Sequence, residues 1–286
     1  MEQYRPLLFT YAYNILGTAM DAEDVVQDVF EKFLTLEKGL VQNEKSYLVR
    51  MVVNRAIDQK KKLNQTIASY PHEWLPEPII TDTAVPEPSQ EHILHYSMML
   101  LLERLEVRQR AVFLLKEVFG YSHRNISKTL GITPEVSRQS LSRARKRLQD
   151  APPIQPSHSD ESRLKEYLSA IQNADAERLE QLLVKDISLA SDGGGKVPAG
   201  TKTLYGKERV MAMLQGLYKK FYQDITIQQT TINHTPALLY ISPIGKVINC
   251  QVFVFDNHQI ARIFFIRNPD KLIFLQKKPP FMSHNQ

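Results

Sequence analysis

Residues 121–148 read Tyr121-Ser-His-Arg-Asn-Ile-Ser-Lys-Thr-Leu130-Gly-Ile-Thr-Pro-Glu-Val-Ser-Arg-Gln-Ser140-Leu-Ser-Arg-Ala-Arg-Lys-Arg-Leu148. Ser122 is a helix N-cap, and Gly131 suits the left-handed position after a helix. Thr133 caps a second helix, Pro134 takes its first position and Glu135 meets the positive end of its dipole. Ile126 and Leu130 share one face of the first helix; Val136, Leu141 and Leu148 are expected to face inward on the second. Arg138, Arg143, Arg145, Lys146 and Arg147 cover much of the remainder. Charge runs are most often solvated faces. Two caps, a glycine turn, an apolar set and a one-sided basic helix at this spacing instead describe a helix-turn-helix whose second helix enters a DNA major groove.

Working outward, the chain of 286 residues has room for two or three domains, and its 43% hydrophobic content is that of a globular protein. The net charge of +5 favours a polyanionic partner only mildly; what matters is that basic residues gather at Lys60–Lys62 and Arg138–Arg147. A single cysteine, Cys250, excludes an intramolecular disulfide and a thiolate zinc cluster. No apolar run is long enough to span a bilayer, and the N-terminus lacks the pattern of a secretory signal, so a cytoplasmic setting is expected.

Residues 4–62 read as all helical. Leu7, Leu8, Tyr11, Ile15 and Leu16 make one stripe, closed by Gly17; Asp21 is expected to cap a second helix with Val25, Val26, Val29, Phe30, Phe33 and Leu34 buried; a third runs from near Glu44 to Lys62. Pro71, Pro76, Pro78, Pro86 and Pro88 then forbid a regular helix, and the stretch reads as a linker that carries the lone Trp74. Trp74 could dock on a neighbouring domain or anchor a partner. Helices resume near Glu91, and Ala151–Ser157 is a second linker. Beyond Glu161 two amphipathic helices, the glycine-rich Asp192-Gly193-Gly194-Gly195-Lys196 and a helix near Lys207–Phe221 precede four strand-like runs, 225–232, 237–241, 247–255 and 259–267. Helices followed by an antiparallel sheet imply an α+β domain. The expected divisions are 1–64, 65–92, 93–150, 151–160, 161–278 and a tail 279–286.

Tyr4–Lys62 followed by Leu101–Leu148 resembles the extracytoplasmic function (ECF) sigma factors. The resemblance rests on Asp21-Ala22-Glu23-Asp24-Val25-Val26-Gln27-Asp28-Val29-Phe30, on Tyr47-Leu48 with Arg50, Asn54, Ala56 and Asp58, and on the helix-turn-helix, in that order. The remainder resembles the SnoaL-like extension of one subgroup, through Trp74-Leu75-Pro76-Glu77-Pro78, Asp192–Lys196 and Asn268-Pro269-Asp270-Lys271-Leu272. The fold so implied is two all-α sigma domains, region 2 and region 4, followed by an α+β cone. The resemblance implies bacterial core RNA polymerase and promoter DNA as partners, a free monomer, no membrane, no cofactor or metal, and no catalysis.

It also assigns surfaces. Asp24, Gln27 and Glu31, spaced to share one helix stripe, would meet the polymerase. The loop Glu37–Glu44, with Gln42 and Asn43, and the following helix, with Arg50, Asn54, Arg55, Lys60 and Lys61, would hold the −10 element. Glu135, Ser137, Arg138, Arg143, Arg145 and Lys146 would read the −35 element. Trp74, the Asp192–Lys196 loop, Asn268, Asp270 and Lys271 would make regulatory contacts. Residues His123, Arg124 and Asn125 depart from the family's pattern there. Two alternatives stand beside this reading. A SnoaL-like pocket could hold a small ligand, or use Asp256, His234 and His258 for proton transfer; and the chain could be a stand-alone dimeric helix-turn-helix regulator with a ligand-sensing C-terminal domain.

Overall fold

The computed structural model describes residues 1–36, 41–71, 73–81, 90–149 and 158–276. The expected loop residues 37–40, part of the first linker, the second linker to residue 157 and the tail lie outside the described residues.

Three helices open the chain: α1 (Arg5–Leu16), α2 (Ala19–Leu34) and α3 (Glu44–Ala68). Gly17 closes α1 at φ 79°, as its sequence position requires. The cap of α2 is Thr18 and not Asp21; Thr18 Oγ1 donates instead to the Asp21 carboxylate at 2.5 Å, and Leu34, expected to be buried, stands exposed at the last position of the helix, beyond the packed stripe of Val25, Val26, Val29 and Phe30. α3 runs two turns past Lys62, because nothing between Lys62 and Ala68 breaks it. After the linker come α4 (Tyr96–Leu102), α5 (Val107–Phe113) with a π turn at Leu114–Val118, α6 (His123–Leu130) and α7 (Pro134–Leu148). One continuous apolar core joins the two helical modules: Leu8, Ile15, Val26 and Val52 pack in the same cluster as Leu102, Val112, Ile126 and Leu141. Tyr11 stacks on Phe119 with ring centroids 3.8 Å apart.

The C-terminal domain is α8 (His158–Gln172), α9 (Ala176–Leu182), β1 (Leu183–Asp192), β2 (Leu204–Tyr205), α10 (Lys207–Phe221), β3 (Thr226–Ile232), β4 (Thr235–Ile241), β5 (Val247–Asp256) and β6 (Gln259–Ile266). The sheet order is β2-β1-β6-β5-β4-β3, antiparallel except where β1 runs parallel to β6. The sheet is therefore mixed, with β1 a strand that the helical spacing of Leu179, Leu182 and Leu183 concealed. Side chains alternate across it. Tyr240, Phe253, Ile263 and Phe265 face α8 and α10, while Ala237, Val252, Phe264 and Ile266 face the linker and Tyr96. With both faces covered at the sheet's centre, β4 reads as a continuous apolar run from Pro236 to Ile241.

Candidate nucleic-acid interface and its docked C-terminal domain

The helix-turn-helix forms as its caps dictate. Ser122 Oγ accepts from Asn125 N at 3.2 Å, Gly131 sits at φ 64°, and Thr133 Oγ1 accepts from Val136 N at 3.3 Å. Arg138, Arg143, Arg145 and Lys146 stand exposed on α7. Glu135 pairs with Arg138 at 2.7 Å, and Arg145 with Glu117 at 2.7 Å. A basic hollow of about 510 Å³ lies between His123, Arg138, Leu141, Arg145 and Lys146. Two expectations fail. Ser137 is fully buried against His123 Nδ1 at 2.9 Å, so it joins α6 to α7 and cannot reach a base. Val136 is exposed, because the inward stripe of α7 runs instead through Ser137, Leu141 and Ala144.

Asp24, Gln27 and Glu31 do share an exposed stripe of α2, where Gln27 Nε2 donates to Glu31 at 3.1 Å. Partial burial, and then Asp21 and Asp28, push the Asp24 carboxyl up. On α3, Asn43 caps the helix by accepting from Ser46 N at 2.9 Å, and Gln42 and Arg50 are exposed. Asn54 is engaged: its amide donates to Arg50 O and, across to the second module, to Thr129 O, both at 2.8 Å. Arg55 pairs with Asp28 at 2.6 Å, and Lys61 with Asp58 at 3.0 Å.

Lys60, expected among the −10 contacts, is enclosed instead. It is buried, donating to Leu16 O and to Glu103 at 2.8 Å, in a cluster completed by Arg110 on the same carboxylate. Arg110 Nε in turn donates to Asn14 O at 2.9 Å. Burial, then repulsion from Arg110, lowers the Lys60 ammonium to about 8 despite Glu103. Burial alone would raise the Glu103 carboxyl, but Arg110 and Lys60 hold it below the usual range. This salt cluster ties α1, α3 and α5 together, and it leaves Lys60 no reach to a phosphate while the modules touch.

The proline stretch is built in. Alternate amides each find an acceptor: Leu75 N on Asp192 Oδ2, Glu77 N on Gly17 O, Ile79 N on Asn233 Oδ1 and Thr81 N on Thr231 O, at 2.8–3.1 Å. Pro76 and Pro78 occupy the intervening positions, where a missing N–H costs no bond. The Glu77 side chain reaches the start of α2, accepting from Ala19 N at 2.6 Å and Met20 N at 3.3 Å. Burial raises its carboxyl to about 7.

The three regulatory segments converge. Asp192 is fully buried and accepts from Tyr70 Oη at 2.6 Å, Leu75 N, Gly194 N at 2.9 Å and Lys271 Nζ at 2.6 Å. Lys271 also donates to Leu75 O, and its Nζ lies 4.3 Å from the centre of the Trp74 ring, with Lys60 Nζ at 4.7 Å from the same ring. Trp74 thus docks inside the chain, against Gly17. Asn268 Nδ2 donates to Tyr70 Oη at 3.0 Å, and Lys196 pairs at the surface with Asp270 at 2.6 Å. Gly194 holds φ 66°, and a Cβ there would stand 2.4 Å from Asn268 Cγ; one at Gly193 would stand 2.2 Å from Val197 O. Gly195 passes beside Pro71, where a Cβ would meet Cγ at 3.1 Å.

A second knot was missed from sequence. Asn233, buried at φ 48°, donates to Tyr13 Oη at 2.8 Å and Leu94 O at 3.1 Å while accepting from Ile79 N. An Asn between two strand-like runs, a residue type that tolerates φ > 0, is the sequence signal at this position. The proton-transfer candidates are placed otherwise: the His234 ring faces His95 at 5.5 Å, and Asp256 and His258 sit at the β5–β6 turn. Between sheet and helices, the space is filled by buried Tyr167, Tyr240, Phe253 and Phe265.

The family model for sigma-70 region 2 matches residues 1–66, and that for sigma-70 region 4 matches residues 95–148. The ECF RNA polymerase sigma factor SigJ of Mycobacterium tuberculosis is 26% identical over 229 residues, covering 77% of this chain and 72% of that one. A probable ECF sigma factor of the same organism, SigI, is 26% identical over 190 residues, 63% of this chain and just under two thirds (64%) of its own. The crystal structure of M. tuberculosis SigJ aligns over 97% of this chain and 98% of that one, with a TM-score of 0.77 at 23% identity, so the whole three-part arrangement is a known fold. Among the described residues no helix is long and apolar enough to cross a membrane. With sigma-70 region 2 and region 4 present in order, on the fold just described, this chain is an RNA polymerase sigma factor, similar in sequence to the ECF group.

Proposed function

We propose that the chain engages bacterial core RNA polymerase through Asp24, Gln27 and Glu31, holds the −10 element with Gln42, Asn43, Arg50, Asn54, Arg55 and Lys61, and reads the −35 element from Glu135, Arg138, Arg143, Arg145 and Lys146. The C-terminal domain acts as a built-in brake by fixing the linker that must extend before both elements can be reached. The observation that carries this is the buried Asp192–Lys271 pair closed around the backbone of Leu75.

Distance supports it. The two elements lie about 25 base pairs apart by their positions, ~85 Å along B-DNA at ~3.4 Å per pair. From Ala68 to Tyr96 the linker, pulled straight at ~3.1 Å per residue, reaches roughly that far. Here Asn54 and Thr129 touch. Region 2 and region 4 must therefore part, and the amides of Leu75, Ile79 and Thr81 must leave Asp192, Asn233 and Thr231. The role calls for no catalytic chemistry and no small ligand, and the aromatic filling between sheet and helices favours neither.

Promoter-directed transcription with core enzyme tests the reading. Full chain, Asp192→Ala and a chain with Asp192–Lys196 replaced are compared, alongside gel shifts with and without polymerase. Higher output from the altered chains, and specific duplex binding only with core enzyme, are expected. Indistinguishable output removes the brake; polymerase-independent binding to a palindromic site would instead describe a conventional regulator.

A further inference from the structure

A cleft of about 570 Å³ opens where the two DNA-binding modules meet. One wall is the entry to α3, with Gln42, Asn43, Tyr47 and Arg50; the other is Tyr121 and α6, with Asn125 and Lys128; Thr129, bonded to Asn54, closes the join. Its volume lies in the ~300–1,000 Å³ range of small-ligand sites. We propose that this cleft binds a nucleoside phosphate, and that the site is complete only while region 2 and region 4 are in contact.

The lining supplies each element of nucleotide recognition. Exposed Arg50 and Lys128, one from each module, are the cations for phosphate. The side-chain amides of Gln42 and Asn125 offer paired donors and acceptors to a base edge, and Asn43, whose Oδ1 caps α3, adds its amide N–H as a donor. Tyr47 and Tyr121 offer aromatic surface for stacking, the sequence-tolerant mode of single-strand binding. Both rings are held in advance. Tyr121 Oη lies 3.2 Å from Tyr11 Oη with the rings edge to face at 6.4 Å, and Tyr47 rests on Phe33 at 6.0 Å. None of the region 4 wall belongs to the surfaces assigned above to promoter reading. The occupant could be a free mononucleotide or one residue of a single strand; the chemistry recognised is the same, and occupancy would favour the closed chain.

The experiment uses the full chain without polymerase. Fluorescence anisotropy follows labelled pentadeoxythymidylate and pentadeoxyadenylate, with ATP as a competing mononucleotide. In parallel, an oligonucleotide carrying 5-iododeoxyuridine is photo-crosslinked and the adduct is mapped by mass spectrometry. Expected are binding weakened at least threefold by Lys128→Ala or Asn125→Ala as well as by Arg50→Ala, at unchanged melting temperature, and an adduct on Tyr47 or Tyr121. Displacement by ATP assigns a free nucleotide; binding of the strands without ATP competition assigns a strand. The proposal is overturned if no probe binds, if the adduct lies outside the cleft, or if the two region 4 variants bind like the parent while Arg50→Ala does not. Because no polymerase or transcription is involved, these outcomes are independent of the promoter reading above.

Discussion

At the residue scale the molecule depends on a few charges buried between domains. Removing one partner of a buried ion pair strands the other and typically costs ~3–5 kcal/mol. Asp192→Ala leaves Lys271 facing Leu75 O and two aromatic rings without its counter-charge. A large loss of cohesion between linker and C-terminal domain is therefore expected, seen as a lowered melting temperature and faster proteolysis near residue 75. Asp192→Ala paired with Lys271→Met should recover part of the loss, since no charge is stranded; a double variant no better than Asp192→Ala would mean that the pair is not the clamp.

Glu77 sets a pH dependence of defined sign. Its carboxyl is raised by burial to about 7, from an ordinary value near 4.5. The docked chain therefore holds a proton more tightly than the undocked one. The stability that Glu77 contributes is complete below pH ~4.5 and is lost as pH rises through about 7, by at most ~3 kcal/mol. Glu77→Gln should flatten this part of the profile. The informative quantity is the difference between parent and variant melting from pH 5 to 8, because His95, whose imidazole burial pushes down, acts in the opposite direction in both proteins. A difference that does not grow with pH would exclude Glu77 as the cause.

At the element scale, what the sequence makes legible depends on how local the determinant is. The caps of α6 and α7 and the glycine closing α1 are set by residues within four positions, and each forms as expected. β1 was hidden because a register shift between Leu183 and Ser188 interrupts its alternation, and Lys185-Asp186 falls in that break. The site residues divide in the same way. Arg138, Arg143, Arg145 and Lys146 are exposed, as a basic helical face must be, whereas Lys60 and Asn54 are spent on contacts 43 and 75 positions away that no local pattern encodes. Ser137 sits one position before Arg138, yet the helical turn sends it inward. Arg143→Ala should therefore relax discrimination at one −35 base pair by ~1–3 kcal/mol. Ser137→Ala should leave base preference intact and lower stability by ~1 kcal/mol, through the lost His123 bond. Binding to a panel of single-base promoter variants, with melting curves for each protein, separates the two effects.

On the scale of the whole molecule, one segment serves two incompatible purposes. As a tether, in the function proposed above, the linker would stretch close to its full length to let region 4 reach one promoter element while region 2 holds the other. As a strap, it is pinned at Leu75, Glu77, Ile79 and Thr81 to groups from α1, β1 and the β3–β4 hairpin. Its alternating prolines suit both states, since Pro76 and Pro78 need no hydrogen-bond partner when bound and keep the chain extended when released. Amide hydrogen exchange distinguishes the states directly. In the free chain the amides of Leu75, Ile79 and Thr81 should be protected together, because each depends on the same docked domain, and they should exchange as one unit. On assembly with core polymerase and promoter DNA, all three should lose protection while the core strands β5 and β6 keep theirs. If the strap amides stay protected in a complex that starts transcripts, the linker does not leave the C-terminal domain, and the two modules must reach their elements by moving with it.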